Sequence, residues 1–125
     1  MRIPILPALT ALLASCAPLM QQSLPGVATS RTFGTSCTIA FDSVVLLAPQ
    51  QKPSSTAVSW GRWSVQGRTA TTVTLQAQSG TSVATSVFTC TQAGNRATLT
   101  MRSSGPNMNP TATNEGFLAN LDLPR

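Results

Sequence analysis

Between residues 72 and 102 the chain alternates apolar and polar side chains with a period of two. In TTVTLQAQ, Val73, Leu75 and Ala77 fall on one face, and Thr72, Thr74, Gln76 and Gln78 fall on the other. In SVFTCT, Phe88 and Cys90 share a face; in RATLTMR, Ala97, Leu99 and Met101 alternate with Arg96, Thr98, Thr100 and Arg102. Successive side chains of a strand point to opposite sides of a sheet, so each run predicts a strand with one buried face. The same reading of CTIAFDSVVLLAP puts Cys37, Ile39, Phe41, Val45 and Leu47 on one parity, with Ser43 as the exception, and predicts a long strand. Breaks at Gly67, Gly80 and Gly94 are short enough for hairpins. Five strands are expected, at about 36–48, 57–66, 69–78, 82–92 and 95–103, the last four as a meander. The stretch NEGFLANLDL fits either a short helical turn, through Phe117, Leu118 and Leu121, or an edge strand.

The fold class that follows is all-β: a small antiparallel β-sandwich or barrel. Composition agrees. Charged residues are 9% of the 125, against roughly 25% in an average protein, while β-branched residues are plentiful. If the first strand runs away from the N-terminal segment, alternating hairpins bring the two longest loops, PQQKPSST and SSGPNMNPTAT, together at its far end. Loops so placed are where binding residues concentrate.

The N-terminus has another character. Arg2 precedes a short apolar run, Ile3 to Ala14, broken by Pro4, Pro7 and Thr10. A membrane-spanning helix needs roughly 20 apolar residues, so this run reads as a leader. It ends Leu13-Ala14-Ser15-Cys16, which resembles the lipobox of bacterial lipoproteins: a bulky aliphatic residue, two small residues and a cysteine. The resemblance covers the first sixteen residues. It implies that Cys16 receives a diacylglyceryl group on its sulfur and becomes the mature N-terminus. It also implies a cell-envelope address, held to a membrane by lipid; Ala17, in place of an aspartate, resembles the pattern of lipoproteins sent on to the outer membrane. Small residues at Ala14 and Ser15 suit a peptidase that must accept an extended backbone, and two or more acyl chains anchor stably where one is marginal.

Three cysteines make an odd count, and an odd thiol in an exported protein calls for an explanation. Lipidation of Cys16 leaves Cys37 and Cys90 as a pair in a compartment where disulfides persist. The order Cys37, Trp60, Cys90 also resembles immunoglobulin-like domains, in which a tryptophan packs on a bridge between two sheets. Phe88 stands where that family carries a tyrosine two residues before the second cysteine. The organisation expected is a leader at 1–15, a lipidated cysteine and flexible tether at 16–34, and a β domain at 35–125.

Chemistry has few groups to use. Without histidine there is no Ser-His or Cys-His pair and no imidazole ligand. Asp42, Glu115 and Asp122 show no pairing in their spacing, and Lys52 with Ser54 or Ser55 sits in a proline-flanked loop that offers no burial. No cofactor, metal or nucleotide motif occurs, and nucleic acid is not expected as a partner. The net charge of +5 falls to +4 when Arg2 leaves with the leader (5 − 1). The expectation is a non-catalytic protein with a structural or protein-binding role and an envelope protein as partner. The alternative is a module for a glycan or anionic polymer. In that reading Trp60 or Trp63 of WGRW stacks on the ligand, beside a stripe of Arg62, Arg68, Arg96 and Arg102.

Overall fold

The computed structural model describes residues 26–125. The leader, Cys16 and residues 17–25 lie outside them. Strands dominate: β1 (Val27–Phe33), β2 (Ser64–Arg68), β3 (Thr72–Ser79), β4 (Ser82–Ala93) and β5 (Arg96–Ser104) form one antiparallel sheet in the order β1-β5-β4-β3-β2. The four-strand meander is therefore present, as β2 to β5. Its two tight hairpins have Gly80 and Gly94 at the first central position with φ of +60°, the left-handed backbone that a type II′ turn requires there.

The second layer is helical, not a second sheet. Helix α1 (Cys37–Leu47) and helix α2 (Pro110–Ala119) both contribute to the single core on one face of the sheet. The all-β class holds in that strands dominate, but among the described residues the sheet is open and no second sheet packs on it or closes it into a barrel.

Cys37–Leu47 is thus helical where the period of two predicts a strand over 36–48. Ser36 caps the helix by accepting from the Ile39 N–H, and a 3₁₀ turn at Ala48–Gln50, carrying Pro49, follows it. The buried positions are Ala40, Phe41, Val44 and Ala48, a helical stripe. Three of these, Ala40, Val44 and Ala48, have the parity that a strand would have given to solvent. β-branched Ile39, Val44 and Val45 supplied a strand-like composition that tertiary packing overrides.

Two other boundaries move. Residues 27–33, expected in the tether, form β1 at the sheet edge against β5, so the folded unit begins before residue 35. Of the strand expected at 57–66 only Ser64 onward is extended, as β2, with a register shift between Val65 and Gly67. Toward the other end of the chain the ambiguous stretch is helical as far as Ala119, within helix α2, and Leu121 packs into the core from the irregular segment after it. Asn109 caps the helix by accepting from the Ala112 N–H, and Pro110 takes the first turn, where its missing N–H costs nothing.

The core gathers Phe33, Phe88, Leu75, Leu99 and Met101 from the sheet and Phe41, Phe117 and Leu118 from the helices. Phe88 and Phe117 pack tilted at 5.1 Å between ring centroids, and burying a side chain of this size contributes roughly 1.5–3 kcal/mol. The other sheet face is polar and hydroxyl-rich. Thr72, Thr89, Thr100 and Ser30 form one row across four strands, and Ser30 and Thr100 hydrogen-bond at 2.7 Å.

Candidate functional site

Cys37 and Cys90 form a disulfide, with Cα atoms 5.8 Å apart and a sequence separation of 53. Cys90 lies on the buried face of β4, as its alternation predicts. Cys37, however, is the first residue of α1, so the bridge staples a helix to a strand and does not join two sheets. The immunoglobulin-like arrangement is absent.

Trp60 and Trp63 are 4% and 2% exposed. Opposite parity would have sent one of them to solvent, but the segment before β2 is irregular and both rings turn inward. Two backbone bonds fix it: Gly61 N–H to the Gln78 carbonyl at 2.8 Å, and Trp63 N–H to the Gln51 carbonyl at 2.9 Å. Neither indole N–H has a hydrogen-bond partner among the described residues. Neither ring face is open for stacking on a sugar or base.

The four arginines do not form a stripe. Arg96 and Arg102 share the polar face of β5 but stand six residues apart, or ~20 Å along a strand. Arg102 donates to the Gly26 carbonyl. Arg68, opposite Val73 on the helix-covered side, reaches Asp42 of α1 at 2.6 Å and the Thr38 carbonyl at 3.3 Å. Arg62 is exposed in the loop between the tryptophans.

The two long loops do meet, as expected. Asn109 N–H donates to the Ser54 carbonyl at 2.8 Å, Ser54 N–H donates to Thr113 Oγ1 at 2.9 Å, and the Ser55 hydroxyl donates to the Asn107 carbonyl. Their place is reversed. Val27 pairs with Ser103, Thr85 with Ser104 and Ser79 with Ser82, so the start of β1 lies at the same end of the sheet as these loops. Because α1 replaces the expected first strand, the direction of travel inverts. Ser55 Oγ also accepts from the Ala57 and Val58 N–H groups. A hydroxyl so engaged belongs to a turn, and Lys52 beside it is exposed.

A further surface feature was hidden by the strand reading of 36–48. On the side of α1 away from the sheet, Ile39 and Leu46 are 52% and 73% exposed. With Leu47 and Asp42 they wall a groove of about 420 Å³, closed on the other side by Asp122 and Leu123 of the segment after α2. Residues seven apart share a helix face, so a helical reading would have shown this stripe.

Among the described residues, no group of three metal-ligating side chains converges and no helix is long and apolar enough to cross a membrane. No family model, curated protein or solved structure matches this chain.

Proposed function

We propose that this protein is a lipid-anchored component of a bacterial cell envelope, acting through protein contacts or as a structural element and not as a catalyst. The observation that carries the reading is the lipobox-like Leu13-Ala14-Ser15-Cys16 beside the Cys37–Cys90 disulfide. The bridge accounts for two of the three cysteines and leaves Cys16 as the odd thiol, where the leader ends. Disulfides are characteristic of exported proteins.

The anchor would hold the folded unit close to the bilayer. Only residues 17–26 separate Cys16 from β1, at most ~35 Å when fully extended. The end of the sheet bearing the two long loops would then face the membrane, and the opposite end, with the disulfide and the Gly94 turn, the surrounding compartment.

The glycan- or polymer-binding reading loses its platform, since both indoles are core residues and the arginines are dispersed. Intact mass spectrometry of the mature protein tests the anchor: the reading requires a chain that starts at Cys16 and carries diacylglyceryl mass.

A further inference from the structure

The groove beside α1 combines exposed apolar side chains with carboxylates at its rim. Its walls hold exposed Ile39 and Leu46 on the helix and Leu123 opposite. Its rim holds Asp42 and Asp122, two of the chain's three carboxylates, in a protein whose net charge is +5. Asp42 is engaged by Arg68 at 2.6 Å, whereas Asp122 has no ion-pair partner among the described residues. An apolar trough with an uncommitted anion at its edge, on an otherwise basic molecule, selects by charge as well as by shape.

We infer that this groove docks a segment of another envelope protein: a short run presenting two aliphatic or aromatic side chains, with a lysine or arginine beside them to meet Asp122. Two other occupants fit less well. Residues 17–25 of this chain include no lysine or arginine, so the tether brings no cation. A second copy docked by a two-fold axis would set the same patch against itself. That places carboxylates against carboxylates, which costs affinity.

The groove is small beside a standard interface, so this contact alone is weak. Anchoring both partners in one membrane raises their effective concentration and makes a weak contact sufficient. In that respect the inference rests on the envelope reading proposed above.

The test is a photo-crosslinking amino acid placed at Leu46 in the full-length protein in its own cells, with the same group at Thr91, exposed on the polar sheet face, as control. The expected result is one discrete protein adduct from position 46, a lysine or arginine close to the crosslinked residue in the partner peptide, and no adduct from position 91. Asp122→Arg lowers the adduct yield about tenfold, the consequence of setting like charges together at a rim; Asp122→Asn lowers it less. Retention of the disulfide on non-reducing gels shows that each variant has folded. No adduct at 46, an adduct to lipid, to residues 17–25 or to a second copy, or a yield indifferent to Asp122→Arg overturns the inference. N-terminal mass measured on the same preparation separates the two claims. An acylated chain without the adduct defeats the groove alone, and an unacylated chain with the adduct defeats the anchor alone.

Discussion

Asn114 of α2 donates from Nδ2 to the Val27 carbonyl at 2.8 Å, tying the second helix to the first residue of the edge strand. The same amide nitrogen reaches Thr29 Oγ1 at 3.2 Å, while its Oδ1 accepts from the Ser103 hydroxyl, which in turn is bonded to Ser86. Because Ser103 gives its proton to Asn114, Ser86 must donate to Ser103. Asn114, Ser86 and Ser103 are all fully buried. One directed chain therefore joins β4, β5, α2 and β1. A satisfied buried network specifies a single arrangement, and breaking it leaves orphaned groups. Asn114→Ala should cost about 2–3 kcal/mol in urea unfolding, from groups left unpaired plus the space vacated. Thr91→Ala, on the exposed polar face, should change stability by less than about 0.5 kcal/mol.

The Cys37–Cys90 bridge closes a loop spanning α1, both tryptophans, β2 and β3. In the chain-entropy account a loop of this length stabilises by about 4 kcal/mol, a large part of what a small domain has. Reduction, or the Cys37→Ser/Cys90→Ser double variant, is expected to lower the unfolding free energy by about that amount, read from urea unfolding. Thiol titration of the unfolded, unreduced chain should find neither cysteine reactive.

The Arg68–Asp42 pair contributes far less despite its short contact. The two side chains are 34% and 54% exposed, and exposed pairs are screened by solvent and salt. Asp42→Asn should shift stability by less than about 1 kcal/mol, and raising ionic strength should shrink even that difference.

Trp60 and Trp63 offer an optical check on the site. Buried indoles emit at shorter wavelength than exposed ones and are shielded from ionic quenchers. Native emission should resist iodide and red-shift on unfolding. Addition of an envelope polysaccharide should leave it unchanged; a saturable shift would restore the stacking role that the burial of both rings removes.

The meander was legible because strict alternation in 72–78 and 96–102 has one structural solution, and Gly80 and Gly94 mark turns that only a residue free at positive φ forms without strain. Residues 37–47 were not. Their apolar positions satisfy both periods in part, and β-branched side chains tilt the balance toward strand. The signals that decide it are Ser36 as a cap and Ala40 and Val44 on the wrong parity for a strand. That single misreading also concealed the groove, since Ile39 and Leu46 form a stripe only on a helix, and it reversed the end of the sheet at which the loops meet. Strand β1 was obscured by its neighbours and by its own inner face: Pro25 and Gly26 give the preceding segment the look of a linker, and the core-facing parity of β1 carries Thr29 and Arg31 beside Phe33, so the apolar alternation is lost.

Everything functional depends on where the mature chain begins. The most direct measurement is the mass of the native protein's N-terminal peptide, purified from its own envelope and digested under non-reducing conditions. The account predicts a peptide starting at Cys16 with the mass of a diacylglyceryl group on its sulfur. An unmodified Cys16 within a longer peptide, or a mature terminus at another residue, would contradict it.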